Sequence, residues 1–126
     1  MVTDRILFIY NAESGLFNGL ADYAHKVFSP STYKCALCAL TYGNLGMRAA
    51  WKRYVHKLDT ETIFLHRDEF RQLYAKQLGR SFPDGVQFPV IFAEENKQLR
   101  VLVNTDELAL CKTLEDLKDL LTSQLI

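Results

Sequence analysis

The sequence predicts one α/β domain in which short strands alternate with amphipathic helices. Apolar runs of strand length recur along the chain, and the segments between them carry apolar residues at helical spacing. The chain has 126 residues, of which 48% are hydrophobic and 24% charged, and these values are typical of a single soluble globular domain. We expect a mixed sheet of about four strands flanked by helices.

The first elements are a strand at 5–10 and a helix at 16–28. The strand is a continuous apolar run, and the helix carries apolar residues on one stripe with Ser14 as its N-cap. Ser29-Pro30 ends the helix. The segment 31–44 is ambiguous, because its apolar residues fit either a buried strand or a compact loop.

The later elements follow the same two periodicities. Helix starts and ends are marked by capping residues and by glycine. The predicted elements are a helix at 46–58, a strand at 62–66, a helix from near Asp68 to Gly79, strands at 88–93 and 99–103 joined by a polar loop at 94–98, and a C-terminal helix capped by Thr113. Several aromatic or apolar residues lie on the inner helix stripes, where we expect core packing, namely Trp51, Tyr54, Phe70, Leu73 and Tyr74.

Charge and hydropathy restrict the partners and the compartment. Fifteen basic residues balance fifteen acidic ones, which argues against nucleic acid or an anionic membrane as the main partner. The apolar run after the N-terminus is too short for a membrane span and lacks the flanks of a signal peptide. The sequence therefore predicts a cytoplasmic protein, in which a permanent structural disulfide is not expected.

Cys35-Ala36-Leu37-Cys38 is the motif that carries the most chemistry. In a strand, positions i and i+3 point to opposite faces, whereas in a turn the two sulfurs could meet. Three interpretations follow: two buried apolar side chains, a thiol redox couple, or a zinc site completed by His25 and His66.

A second polar group lies where the strand at 62–66 meets the next helix. His66-Arg67-Asp68-Glu69 brings together a base, a cation and two carboxylates. The edge of such a sheet is where binding clefts form. We expect a cleft formed by His66 and Asp68 together with three residues of other segments, Asn11, Ser14 and Pro89. The alternative is that the acidic residues serve only the helix start.

The order of elements resembles the thioredoxin-like fold along most of the chain, and the resemblance implies that residues 1–126 form one such domain. The resemblance rests on the first strand and helix, on the strand at 62–66 with its helix, and on Phe88-Pro89 followed by a hairpin and a C-terminal helix. The last unit is similar to the family's cis-proline unit. On this alignment residues 29–60 are an insertion that carries the two cysteines.

The resemblance implies the fold but not the family's usual catalysis. In thioredoxin-like enzymes the C-x-x-C lies at the first strand-to-helix turn, which here is 11–15 and contains no cysteine. The chain is also similar to small uncharacterised bacterial proteins that share Tyr-Asn-Ala-x-Ser-Gly-Leu and His-Arg-Asp-Glu-Phe. Some of these are labelled GTPases, but the phosphate-binding G-x-x-x-x-G-K-[ST] loop is absent from this sequence.

Three functional hypotheses remain at this point. In the first, Cys35 and Cys38 act as a displaced metal or thiol-redox site. In the second, the chain is a non-catalytic module that binds a small molecule or a protein partner, and its cysteines are structural. In the third, it is a cofactor-independent enzyme that uses His66 and Asp68.

Overall fold

The computed structural model describes residues 3–12, 35–43 and 46–125. Within these ranges the chain forms six strands and six helices. The strands are β1 (Arg5–Tyr10), β2 (Tyr42–Gly43), β3 (Gly46–Met47), β4 (Glu61–His66), β5 (Val90–Glu95) and β6 (Gln98–Val103). The helices are α1 (Ala36–Thr41), α2 (Ala49–His56), α3 (Arg67–Leu73), α4 (Ala75–Ser81), α5 (Thr105–Leu110) and α6 (Leu114–Leu125).

The framework is a four-stranded mixed sheet with the strand order β4-β1-β5-β6. The central strand β1 runs parallel to β4 and antiparallel to β5, and β5 forms an antiparallel hairpin with β6. A mixed α/β architecture with a four-stranded sheet is therefore confirmed. The hairpin turn is shorter than the predicted loop, because Asn96 and Lys97 adopt positive φ angles and let the strands extend to meet them.

Both faces of the sheet are covered, which explains the continuous apolar run in β1. Side chains alternate along a strand, so Ile6, Phe8 and Tyr10 enter one core cluster while Leu7 and Ile9 enter the other. The first cluster also contains Cys35, Cys38, Trp51, Leu108, Leu117 and Leu121. The second contains Leu65, Phe70, Tyr74, Val90, Phe92 and Leu99.

The predicted helix from Asp68 to Gly79 is two helices, α3 and α4, which meet at Tyr74. Tyr74 has φ −117° and ψ 26°, which lies outside the helical range and changes the direction of the chain. Tyr74 stays buried, whereas Leu73, which we expected in the core, is 67% exposed. Gly79 lies inside α4 and does not end it.

Two other helix predictions also need correction. The helix predicted at 46–58 begins only at Ala49, because Gly46 and Met47 pair with β2. Helix α5 was missed, although Asn104 and Glu107 form a capping box at its start that the sequence contains. The helix predicted at 16–28 lies outside the described residues.

The C-terminal helix agrees with its prediction. The Thr113 hydroxyl oxygen accepts a hydrogen bond from the Asp116 N–H at 3.1 Å, as expected for an N-cap. Leu117 and Leu121 are fully buried against the sheet. No helix in the described part of the chain has the length and apolar character needed to cross a membrane.

Candidate functional site

Cys35 and Cys38 are joined by a disulfide bond, with their Cα atoms 5.2 Å apart. The ambiguous segment is neither strand nor loop at this point but the start of helix α1. Cys35 is its N-cap, and Cys38 lies one helical turn further on. The helical turn brings the two sulfurs together, which a strand could not have done.

Two backbone N–H groups donate to the sulfur of Cys35. The N–H of Cys38 lies 3.2 Å from Cys35 Sγ, and the N–H of Asn11 lies 3.4 Å from the same atom. The first is an N-cap bond in which sulfur replaces the usual oxygen acceptor. The second ties the cysteine pair to the carboxyl end of β1.

The same end of β1 is tied to the start of helix α3. Arg67 Nη1 donates to Asn11 Oδ1 at 2.8 Å, and the backbone N–H of Arg67 donates to the carbonyl oxygen of Ala12 at 3.1 Å. These contacts arise because β1 and β4 are parallel neighbours, so their carboxyl ends lie at one edge of the sheet. Asn11, Cys35 and Arg67 therefore form a connected hydrogen-bonded group.

His66 occupies the N-cap position of α3, where the sequence suggested Asp68. The backbone N–H of His66 donates to Glu69 Oε1 at 2.8 Å, and His66 Nδ1 lies 2.8 Å from the same oxygen. The backbone hydrogen bond is the main cause that lowers the pKa of Glu69. Asp68 lies in the first turn of α3, one of the two acidic residues there.

Pro89 follows a cis peptide bond with Phe88, directly before β5. Its carbonyl oxygen accepts a hydrogen bond from the Thr105 hydroxyl at 2.8 Å, which ties this segment to helix α5. The structure thus settles the isomer, which the sequence could not. Ser14 and His25, the other two site residues predicted from the sequence, lie outside the described residues.

Of the four predicted zinc ligands, the structure describes Cys35, Cys38 and His66 but not His25. Within residues 3–12, 35–43 and 46–125, no three His, Cys, Asp or Glu side chains are grouped so that they could hold a metal ion. The two cysteine sulfurs are bonded to each other, and thiolate ligation requires that this bond be reduced. A site completed by His25 stays a prediction.

Tyr10 is the buried aromatic residue at this edge. Its ring centroid lies 5.5 Å from that of Tyr42 and 6.2 Å from that of His66. Its hydroxyl is buried and lies near the side chains of Thr41 and Tyr42, but it forms no hydrogen bond of standard geometry with the residues that the structure describes. Burial, the largest cause, raises the pKa of Tyr10 far above its usual value.

A cavity of about 590 Å³ lies away from the cysteines, at the amino end of β1. Its polar wall includes Arg5, Tyr74 and Glu94, and its apolar wall includes Ile63, Leu65 and Leu73. The Tyr74 hydroxyl donates to Glu94 Oε1 at 3.3 Å, and Arg5 Nη1 lies 3.3 Å from that oxygen. None of these residues was among the candidates from the sequence.

Arg67 is the residue that sequence reasoning undervalued. It was noted as a cation in the turn after β4 but was not assigned to a site. The signal that could have found it is the parallel pairing of the first strand with the strand at 62–66, since the residues that follow two such strands share one edge.

Comparisons of the chain with protein-family models, with curated proteins and with solved structures found no match.

Proposed function

We propose that Cys35 and Cys38 form a thiol–disulfide redox couple in a thioredoxin-like domain. The observation that carries the proposal is the geometry of the pair. The two sulfurs are bonded across one helical turn, and two backbone N–H groups donate hydrogen bonds to Cys35 Sγ. Hydrogen bonds to sulfur strengthen when the sulfur becomes a thiolate. These hydrogen bonds therefore favour the reduced state, in which the disulfide bond is broken.

The topology supports the proposed relationship to the thioredoxin-like fold. The hairpin and the C-terminal helix, which were part of the resemblance, are present, and the central strand is parallel to one neighbour and antiparallel to the other. The cysteine pair differs in position, because it begins the helix before β2 and does not follow β1 directly.

As a purely structural bond, this disulfide would contribute little to the stability of the fold. The disulfide closes a loop of only four residues, for which chain entropy gives about 2 kcal/mol of stabilisation. It also joins two residues of one helical turn and connects no second element. In the cytoplasm that we predict for this chain, a bond that opens and closes is favoured over a permanent one.

The proposed step is exchange with an external dithiol. One thiolate of the dithiol attacks a sulfur of the Cys35–Cys38 bond, which breaks and leaves the other cysteine as a thiolate. The second thiol of the dithiol then displaces the protein sulfur from the mixed disulfide. The dithiol loses two electrons and becomes a disulfide, and the protein gains two thiols.

The test is a redox titration of the folded protein in a Cys111→Ser background, which removes the free cysteine. The protein is equilibrated with defined ratios of reduced to oxidised dithiothreitol, quenched in acid and labelled with a maleimide. We expect both thiols to appear together in one two-electron transition, while circular dichroism shows that the fold is retained. The matched controls are Cys35→Ser and Cys38→Ser, which abolish the transition.

Two results would overturn the proposal. One is a pair that becomes reducible only when the protein is unfolded by urea. The other is stoichiometric zinc in the reduced protein, found by elemental analysis and lost in Cys35→Ser, which would establish the metal site instead.

A second candidate is the binding module with structural cysteines. It is favoured by burial, because Cys35 is 3% and Cys38 is 6% exposed, and both belong to the first core cluster. The cleft predicted for that module, which includes Asn11, His66 and Pro89, would then bind a small molecule or a protein partner. Reduction only after unfolding is the result that selects this candidate.

A further inference from the structure

We propose that Arg67 is a positioning residue for Cys35 and that it acts through Asn11. The inference rests on the proposed redox function, because it assigns to Arg67 a part in stabilising the reduced form of the pair. It concerns an interaction between two distant chain segments, at residues 11–12 and 67, that meet only at the edge of the sheet.

The contacts form a continuous path from the guanidinium to the sulfur. Arg67 Nη1 donates to Asn11 Oδ1 at 2.8 Å, and the N–H of Asn11 donates to Cys35 Sγ at 3.4 Å. The Arg67 N–H also holds the carbonyl oxygen of Ala12 at 3.1 Å. Two hydrogen bonds from one residue thus hold the side chain of Asn11 and the carbonyl group of Ala12.

The anchor of this path is itself fixed. Arg67 is the first residue of α3, and its neighbour His66 forms a capping box with Glu69. His66 is also paired with Tyr10 in the parallel register of β4 and β1. The backbone of Arg67 is therefore fixed by the sheet and by the helix start, and Asn11 is held by an element that does not depend on the cysteines.

The chemical consequence concerns the sulfur that leaves during reduction. When a thiolate of the external dithiol attacks Cys38 Sγ, a new sulfur–sulfur bond forms there and the electron pair of the old bond leaves with Cys35. The N–H of Asn11 then donates to a thiolate, and a charge-assisted hydrogen bond is stronger than one to a neutral sulfur. Holding Asn11 in place therefore shifts the equilibrium towards the reduced protein.

The experiment is a double-mutant cycle on the dithiol equilibrium, measured at pH 8 in the Cys111→Ser background. We expect Arg67→Gln to lower the equilibrium constant for reduction by about tenfold, the amount that one hydrogen bond to a charged group supplies. Asn11→Ala, which changes no charge, should lower it by a similar factor. The double variant should resemble either single variant, because both remove one interaction.

Two further variants separate positioning from charge and from folding. Arg53→Gln removes the same charge from an exposed position of α2 and should leave the equilibrium unchanged. Arg67→Lys keeps one donor for Asn11 and should lie within about threefold of the parent. A general loss of stability would affect the oxidised and reduced forms alike, so it would not move this equilibrium. If Arg67→Gln does not fold, Asn11→Ala and Arg67→Lys still carry the test.

The outcomes distinguish this inference from the proposed function. If the parent protein shows no two-electron transition while folded, the redox function itself is wrong. If the parent cycles but Asn11→Ala leaves the equilibrium unchanged, Arg67 does not act through Asn11. Additive effects in the double variant would also contradict the inference, because they would indicate that Arg67 acts on the sulfur directly through its charge.

Discussion

The two ends of β1 are built from different kinds of interaction. At the amino end, Arg5 pairs with Glu61 of β4 at 2.9 Å and with Glu94 of β5 at 3.3 Å. At the carboxyl end, the chain is linked to Cys35 by a neutral N–H group of Asn11. Charged side chains thus connect three strands at one end, whereas at the other end two backbone N–H groups donate to a sulfur atom and the charged Arg67 contacts it only indirectly, through Asn11.

Each end also contains a buried tyrosine, and the two hydroxyl groups differ in their hydrogen bonding. The Tyr74 hydroxyl donates to the buried carboxylate of Glu94. The Tyr10 hydroxyl lies near Thr41 and Tyr42 but forms no hydrogen bond of standard geometry in the described part of the chain. Burial is the first cause that raises the pKa of both.

This difference separates an end that stabilises the fold from an end that we assign to function. A satisfied network of buried polar groups contributes to stability, whereas a buried polar group without a partner costs free energy. Departures from local satisfaction are expected where a site has a function. The comparison makes predictions about stability that do not depend on the redox proposal.

The largest effect is expected for Glu94→Ala at the amino end. The Glu94 side chain is 7% exposed and its carboxylate accepts from Arg5 and Tyr74, so its removal takes the buried acceptor away from both groups. We expect the free energy of unfolding in urea to fall by about 3 kcal/mol. The matched control is Glu61→Ala, which removes a partner of the same arginine that is 60% exposed and should cost less than about 1 kcal/mol. Equal losses would mean that burial does not decide the value of these pairs.

A pair of identical substitutions compares the two ends directly. Tyr74→Phe should lower the free energy of unfolding by about 1 kcal/mol, because it removes the donor to Glu94. Tyr10→Phe should leave it unchanged or raise it by up to about 1 kcal/mol, because it removes a buried hydroxyl that forms no hydrogen bond of standard geometry in the described part of the chain. Urea unfolding at pH 7 measures both. A loss in Tyr10→Phe as large as that in Tyr74→Phe would contradict the contrast.

The smallest effects are expected for two acidic residues with lowered pKa values. A hydrogen bond from the His66 N–H lowers the pKa of Glu69, and hydrogen bonds from the Arg100 side chain lower that of Glu95. A carboxyl whose pKa is depressed by folding stabilises the protein above its unfolded pKa of about 4.3, and this is lost as the pH falls through the folded pKa. The destabilisation by Glu69→Gln and Glu95→Gln should therefore be largest above about pH 5 and shrink below about pH 4.

Salt distinguishes these two carboxylates. The main interaction of Glu95 is with a charged arginine, so its contribution should fall when the ionic strength is raised to 1 M. The first cause at Glu69 is a neutral backbone donor, so its contribution should change less. Urea titrations of the parent and both variants at pH 3, 5 and 7, in low salt and at 1 M ionic strength, measure these effects. A Glu69→Gln effect that is constant between pH 7 and pH 3 would contradict the assigned hydrogen bond.

Much of the fold could be predicted from local patterns. The apolar run of β1, the period of α6 and its Thr113 cap each depend on residues that are close in sequence, and the structure agrees with all three. The errors are of two kinds, because helix α5 was missed although its capping box is a local signal, whereas the break after Leu73 has no such signal. Leu73 lies on the apolar stripe of a continuous helix, but the break at Tyr74 turns it towards solvent.

The candidate site shows the same division. The residue types were visible in the sequence: two cysteines, an asparagine after a strand, and a cluster of charges after another. Their connection was not visible, because it depends on β1 and β4 being parallel neighbours. Only that pairing brings Asn11 and Arg67 to one edge of the sheet.

The sequence by itself determined that this chain is an α/β protein with a C-x-x-C motif, because periodicity and composition act over short distances. Only the tertiary structure decided that the two cysteines start a helix and are bonded to each other. The reason is that the apolar residues around Cys38 fit a buried strand or a compact loop by local pattern alone, and that pattern does not indicate the short helix. Packing against the first core cluster selects the helix and places Cys35 beside Asn11.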